Sequence, residues 1–526
     1  MAVDAPFTSR RRVRSARTGT TRVRVGGVLL ATALAVSLTA CSGTEDSAGA
    51  PTNSGDGPSG TLRVGTNQQF DDWDTVNKQN STFSSLVYES LMSVAPDGFT
   101  LRPQLATSWK ESPDRIDITL RSGVVFHDGT PFDAEAVVKN LERIKNTPNQ
   151  YRSQLDAVKT ITAVDATHVR IGLKRAAPSL ISNLSQLGMF IVSPKALADG
   201  TWKTKPAGTG PWTYDSARTT KGLRTAVRAF DKYYDKKSVG PARVEVTQIQ
   251  DPDSLYNALR AGQLDVVWTT STLAARAGKE GLKSTWFPSV LWHLQMYDTK
   301  GVFKDKKFRQ AVCHAMNPQD YIDAALGGKG KTHLQRMPEG QPGHDPELTG
   351  YPFDLDKARK LLAEAEDAPR SFTLISYDTQ RTIAELFRSQ MEKIGIEVTL
   401  ELPNFPQFLS TYQSGRYPAA ILSDASRSGP YDYYNRKFAP TAPNNPLKVQ
   451  YPELTAAAEE GLAAKTPEAR ETAWKKMSRI VNDEALDCGY FDYSGFWAFN
   501  PKKVDNIVST ANDVAVFRYK DAKIVS

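Results

Sequence analysis

Cys41 limits the folding problem before any secondary structure is read, because the residues ahead of it mark it as a cleavage point. Seven arginines lie between Arg10 and Arg24, the uncharged stretch 25–38 follows, and Leu38-Thr39-Ala40-Cys41 closes the segment with small residues. This is the pattern of a secretory signal ending in a lipobox. The stretch is too short and too rich in Gly, Ala and Ser for a membrane span, which needs about 20 apolar residues. A diacylglyceryl thioether on Cys41, joined by an acylated α-amine, would supply the two or more chains that stable anchoring requires. Arg10-Arg11-Arg12-Val13 also resembles a twin-arginine export signal with Val in place of Phe, so both that route and general secretion stay open. The expectation is a lipid-anchored, extracytoplasmic protein on the outer face of the cytoplasmic membrane.

Removing residues 1–40 also changes the charge argument. The whole chain has 66 basic and 58 acidic residues and a pI near 9.1, which by itself would suggest a nucleic-acid partner. The segment 1–40 holds the seven arginines against Asp4 alone, leaving 59 basic and 57 acidic residues. The mature protein is nearly neutral, and the nucleic-acid reading loses its support. Residues 42–60, SGTEDSAGAPTNSGDGPSG, have too few apolar groups to offset the entropy of ordering. They read as a flexible tether with a typical reach of about 25 Å. The remainder, 60–526, is too long for one core and suggests two or three lobes. It has no repeat at solenoid spacing.

The body reads as mixed α/β. Ile116, Ile118 and Leu120 alternate in a half-buried strand, and Asp128-Gly129-Thr130-Pro131 marks a turn. Asp133 can cap the helix that follows, whose Ala134, Val137, Val138, Leu141 and Ile144 share one face. At 371–402, SFTLIS is a strand, Ile383, Leu386, Phe387, Met391 and Ile394 form a helical stripe, Gly395 suits the helix end, and IEVTLEL is the next strand. Such a β-α-β crossover calls for a parallel pair.

These residues also carry a resemblance. The block at 105–144, LATSWKESPDRIDITLRSGVVFHDGTPFDAEAVVKNLERI, resembles the signature of the family 5 extracellular solute-binding proteins, the peptide and nickel receptors of ATP-driven importers. LVYESL at 86–91, PAGTGPW at 206–212, LRAGQLDVV at 259–267, FKDKKFRQAVCHAMN at 303–317 and YPFDLDKARKLLAEA at 351–365 follow in the family's order. The resemblance implies a periplasmic-binding-protein-like α/β fold with an extra inserted domain and two lobes closing over a ligand cleft about a pair of crossing strands. Carried onto this chain, domain I comprises 61–88, 178–289 and 497–526, domain II 89–177 and domain III 290–496. It further implies a monomeric receptor without cofactor that hands a peptide or peptide-like solute to permease subunits with cytoplasmic ATPases.

Ligand contacts are then expected around the cleft. By position in the family pattern they are Asn77 and Asn80 ahead of the Tyr88 helix, Trp268, Trp292 on the strand entering domain III, Asp424, Ser426, Arg427 and Tyr433 in the 423–434 loop, and Tyr493 and Trp497 near the crossover back. Aromatic rings supply contact area there at little entropic cost, and core packing is the alternative for each tryptophan. His127 and Asp128 belong to the turn and are not read as a catalytic dyad.

One departure stands out. The family's peptide receptors carry a tryptophan and then an aspartate, four positions before a proline, that pairs with the peptide's α-ammonium. Counting back from Pro430 puts Ser426 in place of that aspartate and Ser423 in place of the tryptophan. Asp424 could substitute, although Arg427 would compete for its carboxylate and equally suits an anionic ligand. A modified or cyclic peptide, a siderophore-like chelate or a glycoside are therefore the alternative solutes.

Other chemistries find little footing. Gly330-Lys331-Thr332 ends like a phosphate-binding loop, but Ala325 stands where the first Gly belongs, and a polar turn is the simpler reading. The six histidines, His127, His168, His293, His314, His333 and His344, show no close-spaced ligand pair, and no Gly-x-Ser-x-Gly elbow occurs. No metal site is expected; an exported hydrolase and a signalling or adhesion receptor are the remaining classes. With Cys41 lipidated, Cys313 and Cys488 are left in an oxidising compartment. Family topology places their helix and strand near each other, which implies a disulfide, with two buried free cysteines as the alternative.

Overall fold

The computed structural model describes residues 57–525 apart from 77–79, 97–99, 150, 367, 426–428, 443 and 510–516. Cys41, Asn77, Ser426 and Arg427 lie outside the described residues, as does the side chain of Tyr493. Residues 56–526 form one compact unit.

Two strands organise that unit. Lys283–Met296 and Asp487–Phe499, 14 and 13 residues long, run antiparallel through the middle of an 11-stranded sheet. Asp487–Phe499 feeds two different cores, and Lys283–Met296 pairs with it along most of its length. Trp292, Leu294 and Met296 pack with Cys488 and Phe491 in one core, whereas Trp497 and Phe499 join Leu62, Val64, Val244 and Val266 in another. The pairing between the two strands shifts register between Pro288 and Val290 and between Trp292 and Leu294. The expected boundaries at 289/290 and 496/497 thus fall inside continuous strands, which join two separately cored lobes.

On the first side, Ser59–Thr66 pairs in parallel with Pro241–Gln248 and Val266–Thr269, and Val266–Thr269 pairs with Asp487–Phe499. On the other, Ala419–Ala425 pairs with Lys283–Met296. Beyond it, Ser371–Ile375 pairs in parallel with both Ala419–Ala425 and Glu397–Glu401. The helix Arg381–Glu392 makes the crossover, with Gly395 at φ +78° beyond its end. The crossover anticipated from the apolar stripe is therefore present, with Ile383, Phe387 and Met391 buried against the sheet.

A separate antiparallel sheet holds Ala106–Ser112, Arg115–Leu120, His168–Leu173 and Val158–Asp165. The helix Ala134–Asn146 covers it, capped by the Asp133 carboxylate, which accepts from the Ala136 amide.

The recurring sequence blocks turn out to be joints. Gly208 and Gly210 lie so close to the helix Ser81–Val87 that a Cβ would stand 2.1 Å and 2.6 Å from the Val87 carbonyl oxygen, so only glycine fits. Glu89, buried, accepts hydrogen bonds from Gln104 (3.0 Å), Thr209 (3.1 Å), Tyr233 (2.8 Å) and Tyr234 (2.9 Å). One carboxyl group thereby ties three stretches of chain together. His127 Nε2 lies 2.9 Å from the Gly210 carbonyl oxygen, and burial pushes the imidazole down to about 4. Asp128 instead takes the Thr130 hydroxyl (2.6 Å) and the Ser193 hydroxyl (2.5 Å). The two side chains serve a turn and share no proton. Thr332–His333 is a short strand against Asp487–Phe499, so the phosphate-loop-like residues form a sheet edge.

Cys313 of the helix Lys306–Ala315 and Cys488 are joined by a disulfide, their Cα atoms 5.8 Å apart. Among the described residues no helix is long and apolar enough to cross a membrane, and no metal-binding cluster occurs.

Candidate ligand-binding site

The seam between the lobes starts from the strand ends. Trp268, on Val266–Thr269 and half-buried, is in register with Trp497, and Trp497 is in register with Thr285. Trp497 is completely buried and packs edge-on to Phe517 at 5.0 Å. Trp292, 1% exposed, stacks with Phe491 at 6.5 Å and leans on Tyr377 at 5.8 Å. Asn80, also buried, donates to the Asp72 carbonyl (2.8 Å) and accepts from Ser84 (2.6 Å). Of these expected contacts, Trp268 keeps part of its surface exposed; Trp292, Trp497 and Asn80 fill the cores or brace a helix.

The expected 423–434 loop is largely regular. Ser423 and Asp424 lie in the last pleat of the strand Ala419–Ala425, and the helix Pro430–Lys437 starts with proline in its first turn. Tyr433 and Lys437 are four residues apart and face inward together. Lys437 Nζ lies 3.1 Å from the Asp424 carboxylate, 3.0 Å from His293 Nε2 and 3.1 Å from Gln295 Oε1. Its three protons have three partners, so the ammonium is satisfied at 1% exposure. Tyr433 donates to Asp487 Oδ2 (2.5 Å), Tyr412 donates to Gln295 (2.7 Å), and the Arg336 guanidinium lies 4.8 Å over the Tyr433 ring.

Charge within this cluster follows from who can donate. An ammonium only donates, so His293 Nε2 accepts from Lys437 and the imidazole proton sits on Nδ1, 3.5 Å from Asp487 Oδ1. Burial, reinforced by Lys437, holds His293 well below its ordinary range, and it is neutral. Its approach to Asp424 at 3.2 Å is therefore no ion pair. Burial pushes the Asp424 carboxyl up, but Lys437 and then Arg436 outweigh it and hold the group well below the usual carboxylate range. Asp487 goes the other way: burial raises it to about 7, opposed by Lys437 and the Tyr433 hydrogen bond.

Asp424 is thus committed. Its carboxylate is 4% exposed and ion-paired with Lys437, with Arg436 3.7 Å away. It does not stand free to receive an ammonium group, because a solute would first have to displace a buried lysine. Lys437, Asp487, Gln295 and Tyr412 escaped the sequence reading, where His293 entered only as one of six histidines without a close-spaced partner; the i, i+4 spacing of Tyr433 and Lys437 was the one available signal. Tyr433 also belongs to this network and not to an open wall.

Similarity to known proteins agrees with the architecture. Residues 100–445 match the family described as bacterial extracellular solute-binding proteins, family 5 Middle. Heme-binding protein A of Haemophilus influenzae is 23% identical over 462 residues, covering 80% of this chain and 84% of that protein. The probable D,D-dipeptide-binding periplasmic protein DdpA of Escherichia coli is 25% identical over 441 residues, covering 80% and 85%. The crystal structure of the ABC transporter substrate-binding protein CtaP from Listeria monocytogenes superposes with a TM-score of 0.77 at 21% identity, covering 89% of this chain and all of that one.

Proposed function

This chain belongs to the bacterial extracellular solute-binding proteins of family 5, and we propose that it is the substrate-binding lipoprotein of an ABC importer. It captures a peptide or peptide-like solute and passes it to the permease. The observation that carries this reading is the pair of continuous strands, Lys283–Met296 and Asp487–Phe499, joining two separately cored lobes. Bending at their register shifts lets one lobe swing without unfolding either core. A solute that touches both lobes binds the closed arrangement better and shifts the population toward it.

Domain I is assigned to 61–88, 178–289 and 497–526, domain II to 89–177 and domain III to 290–496. Cys41 carries the lipid and 42–60 is the tether. Cys41→Ser should release the protein from the membrane fraction with its fold intact; persistent membrane association of that variant argues for an uncleaved helix. Trp268, Ser426 and Arg427 are the residues assigned to the ligand.

The commitment of Asp424 to Lys437 favours solutes without a free α-ammonium: an N-modified or cyclic peptide, a chelate or a glycoside. Losing one partner of a desolvated charge pair costs about 2–5 kcal/mol. Calorimetric titration with paired free and N-acetylated peptides tests this. Acetylation is expected to leave affinity nearly unchanged, and Trp268→Ala to weaken binding. Tight binding of the free peptide alone, lost in Asp424→Ala, overturns the preference and restores an ordinary oligopeptide receptor.

A further inference from the structure

Charge on the mature chain is balanced in sum but not in place. Arg224–Ala229 pairs with Pro241–Gln248, which pairs in parallel with Ser59–Thr66. Val64, Val227, Val244 and Val246 lie on the face that builds a core. The residues alternating with them point the other way, because successive side chains of a strand leave opposite faces. Those residues include Arg63, Arg224, Arg228, Arg243 and Glu245. Arg218, from the loop ahead of Arg224–Ala229, reaches over the same face to Glu245 at 3.8 Å. Five arginines thus share one outer face with Glu245, Asp265 and the flanking Asp215.

Two of the acids are already engaged. Asp265 accepts from the Arg63 amide (2.9 Å) and from its Nε (3.0 Å), and Glu245 lies 3.6 Å from Arg224 as well as beside Arg218. Arg228 and Arg243 are left over. They stand directly opposite each other in the register, and among the described residues neither has an ion-pair partner. Arg243 Nε is buried without a hydrogen-bond partner, while Arg228 is exposed. Like charges directly opposite on paired strands repel, so the fold gains nothing from this pair. A phosphate set between the two guanidinium groups would satisfy both.

Two features of the surroundings select the carrier of that phosphate. The first is the tether. Ser59, where the tether enters the body, is in register with Pro241, two residues from Arg243. A flexible linker of this length reaches about 25 Å, so a body held by lipid at Cys41 carries this face within reach of the headgroups. The second is Leu223, 53% exposed beside Arg224. An apolar side chain next to a basic cluster suits a membrane surface, whose headgroup layer accepts both. A small soluble anion calls for an enclosed site, and these arginines stand on an open strand face.

We propose that the arginine face of Ser59–Thr66, Arg224–Ala229 and Pro241–Gln248 rests on the anionic headgroups of the membrane to which the protein is tethered. The proposal rests on the reading of Cys41 as a lipid anchor. Each arginine near an anionic surface strengthens binding about fivefold. Such an attraction orients a body already held by lipid, and at physiological salt it is too weak to retain one without it. Contact through this lobe leaves the lobe built on Ala419–Ala425 and Ser371–Ile375 free to swing over a solute.

The chain from Ser42 onward keeps the whole compact unit and lacks the lipid-bearing cysteine. In low salt it should sediment with phosphatidylcholine vesicles that contain phosphatidylglycerol and not with vesicles of phosphatidylcholine alone. Added sodium chloride should release it. Arg228→Gln together with Arg243→Gln should lower the partition coefficient about 30-fold. Lys110→Gln together with Lys465→Gln, which removes the same charge from exposed positions elsewhere, should leave it nearly unchanged. An unchanged urea midpoint shows that the arginine variant is folded, and the salt release of the unaltered chain stands without that variant. No binding to the phosphatidylglycerol vesicles, or an equal loss in both double variants, overturns the proposal. Release by inorganic phosphate beyond that by chloride at the same ionic strength also overturns it, since it marks a site for a free anion. Because the chain tested carries no Cys41, none of these outcomes bears on the anchor or on solute capture.

Discussion

Glu89 in one lobe and the Asp424–Asp487 pair in the other are all buried carboxyl groups holding strands and helices together, yet their surroundings differ. Four neutral donors surround Glu89, and burial prevails over them, raising its pKa. Asp424 has a lysine in contact and an arginine nearby, and its pKa falls. Asp487 lies in the same cluster but with its oxygens turned to Tyr433 and His293, and it rises to about 7. Burial alone thus does not decide the charge of a carboxyl group; a full countercharge within contact does.

The largest effect expected from this contrast is at Lys437. Lys437→Met leaves Asp424 buried without its countercharge and should cost about 3–5 kcal/mol in urea unfolding. Adding Asp424→Asn to it should recover most of that loss. An unchanged midpoint in the single variant would show that water reaches Asp424.

The lobe with the charged cluster also carries the disulfide. Joint replacement of Cys313 and Cys488 by alanine should lower stability by about 2–5 kcal/mol. Hydrogen exchange should quicken around Lys306–Ala315 and Asp487–Phe499 while the four-stranded sheet of the other lobe stays protected. Alkylation of the unfolded, unreduced protein supplies the direct check, since two labelled thiols would rule the bridge out.

At Glu89 the expected loss is smaller. Glu89→Leu strands four donors and should cost about 1–3 kcal/mol, with little change in the lysine-bearing lobe. A larger loss there than in Lys437→Met would reverse the comparison between neutral and charged joints.

The finest test is pH. Asp487 is raised on folding, so its contribution is complete below the ordinary carboxylate range and is lost as pH rises through about 7. Asp424 is lowered, so its contribution is present above the ordinary range and is lost as pH falls through its folded value. Asp487→Asn should therefore flatten the stability profile between mildly acid and neutral pH without altering the acid limb. A parallel shift of the whole profile would mean that the two carboxyl groups do not titrate independently.

What could be read from the chain alone was whatever is local or periodic. The alternation of Ile116, Ile118 and Leu120, the Asp133 cap and the strand–helix–strand pattern at 371–402 depend on neighbours a few residues away, and the structure places them as the pattern required. The order of the sequence blocks carried the family and its fold. Tyr433 and Asp487, by contrast, meet across 54 residues of chain, and no spacing announces that Lys437 will reach His293, 144 residues away. Their partners, charges and burial were set by the packing of a helix onto three strands. For the same reason, Asp424, read in sequence as a substitute anchor contested by Arg427, is committed in the fold to Lys437. Local stereochemistry fixes which segments are helices and strands, whereas the charge state of a buried group depends on the particular atoms that tertiary packing brings within a few ångströms.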